Sequence, residues 1–220
     1  MRKKVHIATV YPLKRRPRLL AGRNRHVKPV PVNIHSIENY DFPAGKSYFF
    51  DTNIWLYIYG PIGWPDERLD IYSRALKRIR DSKGTIYINC MIISEFINTF
   101  SRIEFKQQSE FLRYKEFRNS LRYRVIAQDI AQNVKKIFKS TMACDPELQA
   151  INFPEVMDLF EQGKYDFNDL LFAQICRAKG LVFVTHDKDF SELGVEILTA
   201  NEKLVRNEKL ESKGKSENFS

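Results

Sequence analysis

The chain has 220 residues, 43% of them hydrophobic and 29% charged, which supports a real core and excludes a wholly disordered or collagen-like chain. No apolar run approaches the ~20 residues of a membrane span, and no apolar segment follows the charged N-terminus as in a secretory signal. The three cysteines are scattered and form no CxxC pair, which argues against a disulfide framework or a structural zinc site. We therefore expect a soluble, cytoplasmic protein without a membrane role.

The net charge of +9 is concentrated near the N-terminus. Residues 1–37 contain ten basic residues, four prolines and no acid, whereas residues 38–220 contain 26 basic and 27 acidic residues. We interpret residues 1–46 as a basic, largely irregular arm that either binds nucleic acid through its phosphates or serves as a solubilising or partner-docking extension. Residues 201–220 alternate in charge and predict a flexible tail, which leaves residues 47–200 as the folded domain.

Between these extensions, short apolar runs alternate with helical patterns. The apolar runs predict strands at residues 47–50, 85–90, 123–127, 181–185 and 195–198. The 3.6-residue patterns predict helices at residues 66–81, 91–105, 107–118, 129–138, 154–162 and 167–179. This alternation predicts an α/β fold with a mostly parallel sheet between two layers of helices. Sites in such sheets lie beyond the carboxyl ends of the strands.

Four acids occur next to predicted strand ends or helix starts: Asp51, Glu95, Asp169 and Asp187. Singly, each has an ordinary explanation, since Asp51 suits a helix cap, Glu95 a solvent-facing position, Asp169 a first helical turn and Asp187 a turn. Together they would meet at one edge of the sheet, where clustered carboxylates raise one another's pKa unless a cation neutralises them. Oxygen ligands suit Mg²⁺ or Mn²⁺, which can promote phosphodiester hydrolysis.

These acids lie in four short motifs, in the order Phe50-Asp51-Thr52-Asn53, Ser94-Glu95-Phe96-Ile97-Asn98, Phe167-Asn168-Asp169-Leu170-Leu171 and Thr185-His186-Asp187-Lys188-Asp189-Phe190. The set resembles the signature of PIN-domain ribonucleases, with VapC-like toxin nucleases as the nearest group. The resemblance covers residues 47–200 and implies a Rossmannoid α/β/α fold, with residues 123–138 as a strand followed by a helix. The long basic arm and the insertion-like residues 140–163 depart from the compact toxins.

The resemblance implies a role for each matching residue. Asp51, Glu95, Asp169 and Asp187 would be catalytic and would bind Mg²⁺ or Mn²⁺, with Asp189 as a further metal ligand. The supporting residues would be Thr52, Asn53 and Thr185. The implied partners are RNA, an antitoxin if the chain acts as a toxin, and a second copy in a homodimer.

Residues 102–124 are a candidate RNA surface because basic residues alternate there with aromatic ones. The candidate phosphate contacts are Arg102, Lys106, Arg113 and Arg118. Exposed Tyr114, Phe117 and Tyr123 would stack on unpaired bases. The alternative is a solvated helix face over ordinary core aromatic residues.

The first hypothesis is therefore an endoribonuclease that depends on Mg²⁺ or Mn²⁺. The second is a non-catalytic RNA-binding or scaffold protein with the same fold, and a third is a DNA-directed nuclease. Acids at all four motif positions favour a nuclease over the scaffold.

Overall fold

The computed structural model describes residues 33–61, 67–144 and 148–206. Its centre is a six-stranded sheet in which every neighbouring pair is parallel, in the order β1-β6-β5-β2-β3-β4. The strands are β1 (Ile34–Ser36), β2 (Ser47–Phe50), β3 (Thr85–Ile88), β4 (Met142–Ala143), β5 (Val182–Val184) and β6 (Ile197–Thr199). The predicted parallel α/β sheet is confirmed.

Helices flank the sheet and complete an α/β/α architecture. They are α1 (Thr52–Tyr59), α2 (Glu67–Asp81), α3 (Cys90–Lys106), α4 (Tyr114–Arg118), α5 (Leu121–Lys139), α6 (Phe153–Phe160) and α7 (Phe167–Lys179). Short 3-10 turns occupy Leu148–Ala150 and Lys188–Glu192, and residues 202–206 are helical after β6. Within the three described ranges, no helix is long and apolar enough to cross a membrane.

The middle of the sheet is apolar on both faces, as expected for parallel strands covered by helices on each side. Phe49 and Phe50 of β2 are fully buried. The Phe49 ring stacks on Phe183 of β5 with centroids 6.1 Å apart, and Phe50 packs against Trp55 of α1 at 5.1 Å. Burying each of these side chains stabilises the fold by about 2–3 kcal/mol. This packing fixes β2 and β5 side by side, so that their carboxyl ends meet.

The strand predicted at residues 123–127 is wrong, because these residues lie inside α5. Their aromatic and β-branched side chains resemble a strand over five residues. The Ser120 side chain, however, accepts the Tyr123 N–H at 3.1 Å and caps a helix. Burial then recurs at helical spacing at Ile126, Ile130 and Ile137. The strand beside β3 is instead β4, which follows this helix.

The helix predicted at residues 107–118 is shorter than expected. Its N-terminal half is turn and bend, and only α4 is helical. The N–H of Gln107 donates to the Glu104 carbonyl at 3.1 Å, a tight contact that ends α3. Residues 107–110 are all polar and provide no apolar side chain that could hold another helical turn against the core.

Strand β1 belongs to the segment that we expected to be irregular. It pairs with β6, placing Ile34 beside Ile197 at one edge of the sheet. Three residues are too few to show a strand pattern by themselves, and the paired residues Ile34 and Ile197 are 163 positions apart in the sequence. Residues 1–32 of the predicted arm and residues 207–220 of the predicted tail lie outside the described residues.

Candidate active site

The junction of β2 and α1 is built around Asp51, whose side chain is only 8% exposed. Its Oδ1 accepts the Thr52 N–H at 2.6 Å, so Asp51 does cap α1. Its Oδ2 accepts the Asn53 side-chain amide and the Thr185 hydroxyl, each at 2.6 Å. The cap and the site are therefore compatible, because one carboxylate oxygen serves the helix and the other faces the end of β5.

Thr185 and Asn53 attach the loop after β5 to this carboxylate. The fully buried Thr185 hydroxyl also accepts the Asp187 N–H at 3.0 Å. The side-chain oxygen of Asn53 accepts the His186 N–H at 3.4 Å. These contacts hold Asp51 close to the loop that carries Asp187.

Burial raises the pKa of Asp51 from its ordinary 3.8 to about 7, and the negative charges of Glu95 and Asp187 add to this effect. The hydrogen bonds from Thr185 and Thr52 oppose it. Burial also raises the pKa of Asp169 to about 7, with further contributions from the charges of Asp51 and its acidic neighbours. These mutual effects show that α1, α3, α7 and the loop after β5 bring the four predicted acids together.

Glu95 lies on α3, half-buried among the apolar residues of that helix. Burial raises the pKa of its carboxyl, and the charge of Asp166 raises it further. The neighbouring Thr52 hydroxyl lowers it. Glu95 is thus partly removed from solvent and lies within electrostatic reach of Asp166 and Asp169.

Asp166 is a further acid near this group that none of the four motif positions includes. It occupies the N-cap position of α7 but makes no side-chain capping hydrogen bond. Its charge instead raises the pKa of both Glu95 and Asp169. The available signal was its spacing, since residues three apart at a helix start lie on the same side.

Asp189 is exposed in the turn Lys188–Glu192, as is Asp187, which is the N-cap residue of that turn. The backbone N–H of Asp189 donates to Oδ1 of Asp187 at 3.1 Å, so it contributes to the shape of the loop. The structure therefore connects Asp189 to the acidic group through its main chain.

The acidic group suits a hard divalent cation in its chemistry. Carboxylate oxygens are the donors preferred by Mg²⁺ and Mn²⁺, and a positive charge would relieve the burial and repulsion that raise the pKa of Asp51 and Asp169. Among the described residues, however, no three His, Cys, Asp or Glu side chains are arranged to hold a metal ion. The donor atoms fit such a cation in their chemistry, but the carboxylates would have to draw together to hold it.

The predicted RNA surface is exposed and basic. The four candidate residues, Arg102, Lys106, Arg113 and Arg118, all have exposed side chains. The Arg102 guanidinium lies 5.3 Å from the Tyr114 ring centroid, and that of Arg118 lies 4.7 Å from the Tyr123 centroid. Arg113 lies 3.9 Å from the Glu116 carboxylate. The structure thus places Arg102 and Arg118 around one aromatic cluster.

The aromatic residues of this region pack inward. Phe117 is fully buried, and its ring lies 5.2 Å from Tyr123 and 5.6 Å from Phe105. Tyr114 and Tyr123 are half-buried against the same cluster. The expectation that Phe117 is exposed for base stacking is therefore wrong, because its ring fills the core between α3, α4 and α5.

Comparison with known proteins gives a family and two similar solved structures. The crystal structure of PAE2754 from Pyrobaculum aerophilum is 18% identical, covering 76% of this chain and 92% of that chain with a TM-score of 0.43. VapBC2 from Rickettsia felis, bound to a DNA fragment from its promoter, is 16% identical, covering 70% and 98% with a TM-score of 0.44. No curated protein matches. The family model for the PIN domain matches residues 48–196, more than half of the chain, and the chain therefore belongs to the PIN domain family of nucleases.

Proposed function

We propose that the chain is a metal-dependent endoribonuclease that hydrolyses RNA phosphodiester bonds at the acidic group. Asp51, Glu95, Asp169 and Asp187 would be its catalytic residues. The observation that carries this proposal is the pair of carboxyls with a pKa of about 7, Asp51 and Asp169, each raised by burial and by the other acids. Groups perturbed in this way concentrate at functional sites, because they cost stability and need a compensating role.

The acids would bind Mg²⁺ or Mn²⁺, as nucleases of this family generally use divalent metal ions. A bound cation would neutralise the carboxylates and the substrate phosphate and would activate the attacking water. Asp51 and Asp169 must lose their protons before they can bind a cation. Their pKa of about 7 means that this deprotonation would occur near neutral pH. Thr185 and Asn53 would keep the Asp51 carboxylate in one orientation through their hydrogen bonds. Asp189, whose backbone N–H donates to Asp187, would be a further ligand.

Binding of the RNA strand would fall to the exposed basic side chains near the site. Arg102 lies two helical turns beyond Glu95 on α3, a distance of about 10 Å along the helix axis. Arg102, Lys106, Arg113 and Arg118 would hold phosphates away from the bond that is cut, chiefly by charge. Since Phe117 is buried, this surface would hold the RNA backbone and not read its bases by stacking on that ring.

A toxin role, an antitoxin partner and a homodimer form a further part of the proposal. Apolar side chains are exposed on α5, with Leu121 at 74%, Val125 at 63% and Phe138 at 52%. Contact with another chain would remove this apolar surface from water. Light scattering would give twice the 25.9 kDa chain mass for a homodimer and the chain mass itself for a monomer. The antitoxin prediction requires a gene for a small binding partner next to this one.

The test is cleavage of a mixed pool of single-stranded and structured RNA, and of a matching DNA pool, with added Mg²⁺ or Mn²⁺ or with EDTA. The variants are the Asp51→Asn, Asp169→Asn double variant and, as a matched control, Asp158→Asn, which removes an exposed acid of α6. We expect wild type and the control variant to cleave RNA when metal is present. We expect no cleavage in EDTA and none by the double variant. Binding without cleavage would favour the RNA-binding or scaffold protein. Cleavage of DNA alone would favour the DNA-directed nuclease, and equal cleavage by the double variant would contradict the site.

A further inference from the structure

An exposed aromatic ring lies where α6 ends and α7 begins. Phe160, the last residue of α6, is 43% exposed. Its ring meets that of Phe167, the first residue of α7, edge-on, with centroids 6.0 Å apart and planes at 84°. Such a contact covers at most one face of the Phe160 ring, so the exposed part of the ring is a flat apolar surface. Met157, one turn earlier on the same side of α6, is 39% exposed and widens this surface.

Phe167 connects this ring to the acidic group. It stands between Asp166 and Asp169 in the first turn of α7, which spans about 5 Å of the helix axis. The charge of Asp166 acts on Glu95 and on Asp169. The Phe160 ring therefore packs against the same helical turn that carries two acids of the group.

Polar contacts fix α6 against α7. Arg177 of α7 donates from Nη2 to the Glu155 carboxylate of α6 at 2.8 Å, and from Nη1 to the Leu193 carbonyl at 2.9 Å. Val156 of α6 is fully buried. Because both helices are held in this way, the backbone that carries Phe160 has a fixed position, which lowers the entropy cost of binding at its side chain.

The connection between α6 and α7 is attached to the loop that carries Asp187. The Tyr165 hydroxyl donates to the Glu192 carboxylate at 3.0 Å, and Lys164 forms an ion pair with the same carboxylate. Glu192 ends the turn that Asp187 caps. The exposed ring, the start of α7 and the Asp187 loop therefore form one continuous border of the acidic group.

We propose that Phe160, held by Phe167, is a stacking platform for an unpaired base of the RNA strand, on a nucleotide beside the bond that is cut. This inference rests on the proposed function. Stacking on an aromatic ring tolerates every base, because every base has a π-face. The platform would supply the base contact that the buried ring of Phe117 cannot make.

The charges around Phe160 favour a base over a phosphate. Asp158 and Glu161 are exposed on either side of it in the sequence, and Asp166 is exposed at the start of α7. These acids repel the phosphates of a strand. The backbone would therefore pass outside them and turn a base toward the ring.

The size of the surface favours a base over a second protein. Its exposed large apolar side chains are Met157 and Phe160, and the neighbouring Asp158, Glu161 and Gln162 are exposed and polar. A specific protein interface buries about 800 Å² on each partner, which two side chains cannot supply. The longer apolar surface of α5 suits a protein partner, whereas a single ring suits one planar base.

The test compares Phe160→Ala, Phe160→Leu and Phe160→Trp with Phe138→Ala. This matched control removes another exposed phenylalanine ring, 52% exposed on α5. Fluorescence anisotropy in EDTA measures the binding of three labelled RNAs of equal length, each at several salt concentrations. They are a single strand, a duplex and a single strand without bases.

We expect Phe160→Ala to weaken single-strand binding about tenfold and to leave the salt slope unchanged, because a stacked base releases no counterions. Phe160→Trp should keep the affinity, and Phe160→Leu should lose most of it because leucine has no ring. The duplex, whose bases are paired, and the strand without bases should each bind wild type and Phe160→Ala equally. Equal urea unfolding of wild type and Phe160→Leu would show that the loss of affinity is not a loss of folding.

Several results would overturn the platform. One is a reduced salt slope in Phe160→Ala, and another is an equal loss of affinity for the strand without bases, since either would point to a phosphate contact. A third is unchanged RNA affinity with a change from dimer to monomer in light scattering, which would assign the ring to a protein contact.

The platform and the nuclease fail in different ways. Wild type that cleaves RNA, with Phe160→Ala binding the single strand as tightly as Phe138→Ala, would overturn the platform and leave the nuclease in place. Wild type that binds without cleaving under any metal, with single-strand binding still weaker in Phe160→Ala, would overturn the nuclease and leave the platform in place. Wild type that binds none of the three RNAs would overturn both.

Discussion

The Thr185 hydroxyl donates a hydrogen bond of 2.6 Å to Oδ2 of Asp51 and joins the carboxyl ends of the two central strands β5 and β2. Burial raises the pKa of Asp51 to about 7, and this bond acts in the opposite direction. The same hydroxyl accepts the Asp187 N–H. One buried hydroxyl therefore sets both the charge of one acid and the position of another.

Thr185→Val should raise the pH at which the site becomes competent. Valine has a similar shape but leaves Asp51 and the Asp187 N–H without this partner, so the pKa of Asp51 rises further from its ordinary value. We expect the acid limb of the cleavage-pH profile to move to higher pH and the free energy of unfolding to fall by about 1–3 kcal/mol. Ser101→Ala removes a buried hydroxyl of α3 that bonds the Ile97 carbonyl, and its pH profile should match wild type. An unshifted limb in Thr185→Val would contradict the account.

Asp51→Asn should stabilise the metal-free protein at high pH. The folded-state pKa of about 7 exceeds the ordinary 3.8, so between these values the folded protein keeps a proton that the unfolded chain has lost. The free energy of unfolding therefore falls as pH rises through this window. In EDTA near pH 8 we expect the variant to be more stable than wild type by about 1–2 kcal/mol, with no gain near pH 4.

Urea unfolding at the two pH values measures this difference. Asp158→Asn, at an exposed position of α6, should follow the wild-type pH dependence. If Asp51→Asn follows it as well, the carboxyl of Asp51 does not carry the raised pKa.

Replacing Arg102 and Arg118 by alanine should weaken RNA binding and make the affinity less sensitive to salt. Both are exposed and lie around the same aromatic cluster. If each contacts one phosphate, the double variant should reduce the slope of log affinity against log salt by about 1.4 for a single strand. Fluorescence anisotropy at several salt concentrations measures the slope, and Lys179→Ala on α7 is the exposed control. A slope equal to that of the control would mean that this surface is an ordinary solvated face.

Phe117→Leu should affect stability and leave RNA binding alone. The ring is fully buried among Phe105, Phe111 and Tyr123, so the smaller side chain leaves a partly filled space. We expect a loss of about 1–2 kcal/mol in the free energy of unfolding. RNA affinity at a temperature well below unfolding should equal that of wild type. A large loss of affinity with unchanged stability would restore the stacking interpretation.

The parts of the fold and site that could be predicted depend on local sequence. Strand β2 and helix α7 have clear signals, the first a short aromatic run and the second an apolar pattern that ends at Gly180, whose φ of 61° suits glycine. Asp51 and Asp187 could be located because parallel strands in this fold present their carboxyl ends at one edge. In each case the predictive residues lie close together in sequence, within or next to one strand or helix.

The parts that could not be predicted depend on contacts between distant residues. The 123–127 segment has strand-like side chains, yet the face it buries is fixed by packing against α3 and α4. Phe160 shares no motif with the acids, and its ring lies beside the start of α7 only because α6 packs against that helix. Asp166 is an ordinary cap in sequence, and its part in the acidic group is visible only through its effect on Glu95 and Asp169.

The central claim is that Asp51, Glu95, Asp169 and Asp187 hold a divalent cation together. Binding of Mn²⁺, followed by the paramagnetic resonance signal of the free ion, tests it without requiring a substrate. We predict saturable binding by wild type near pH 8 that weakens by at least about tenfold in Asp51→Asn, Asp169→Asn, and that also weakens below pH 7 as these carboxyls take up protons. Equal Mn²⁺ affinity in wild type and the double variant, at every pH, would contradict the claim.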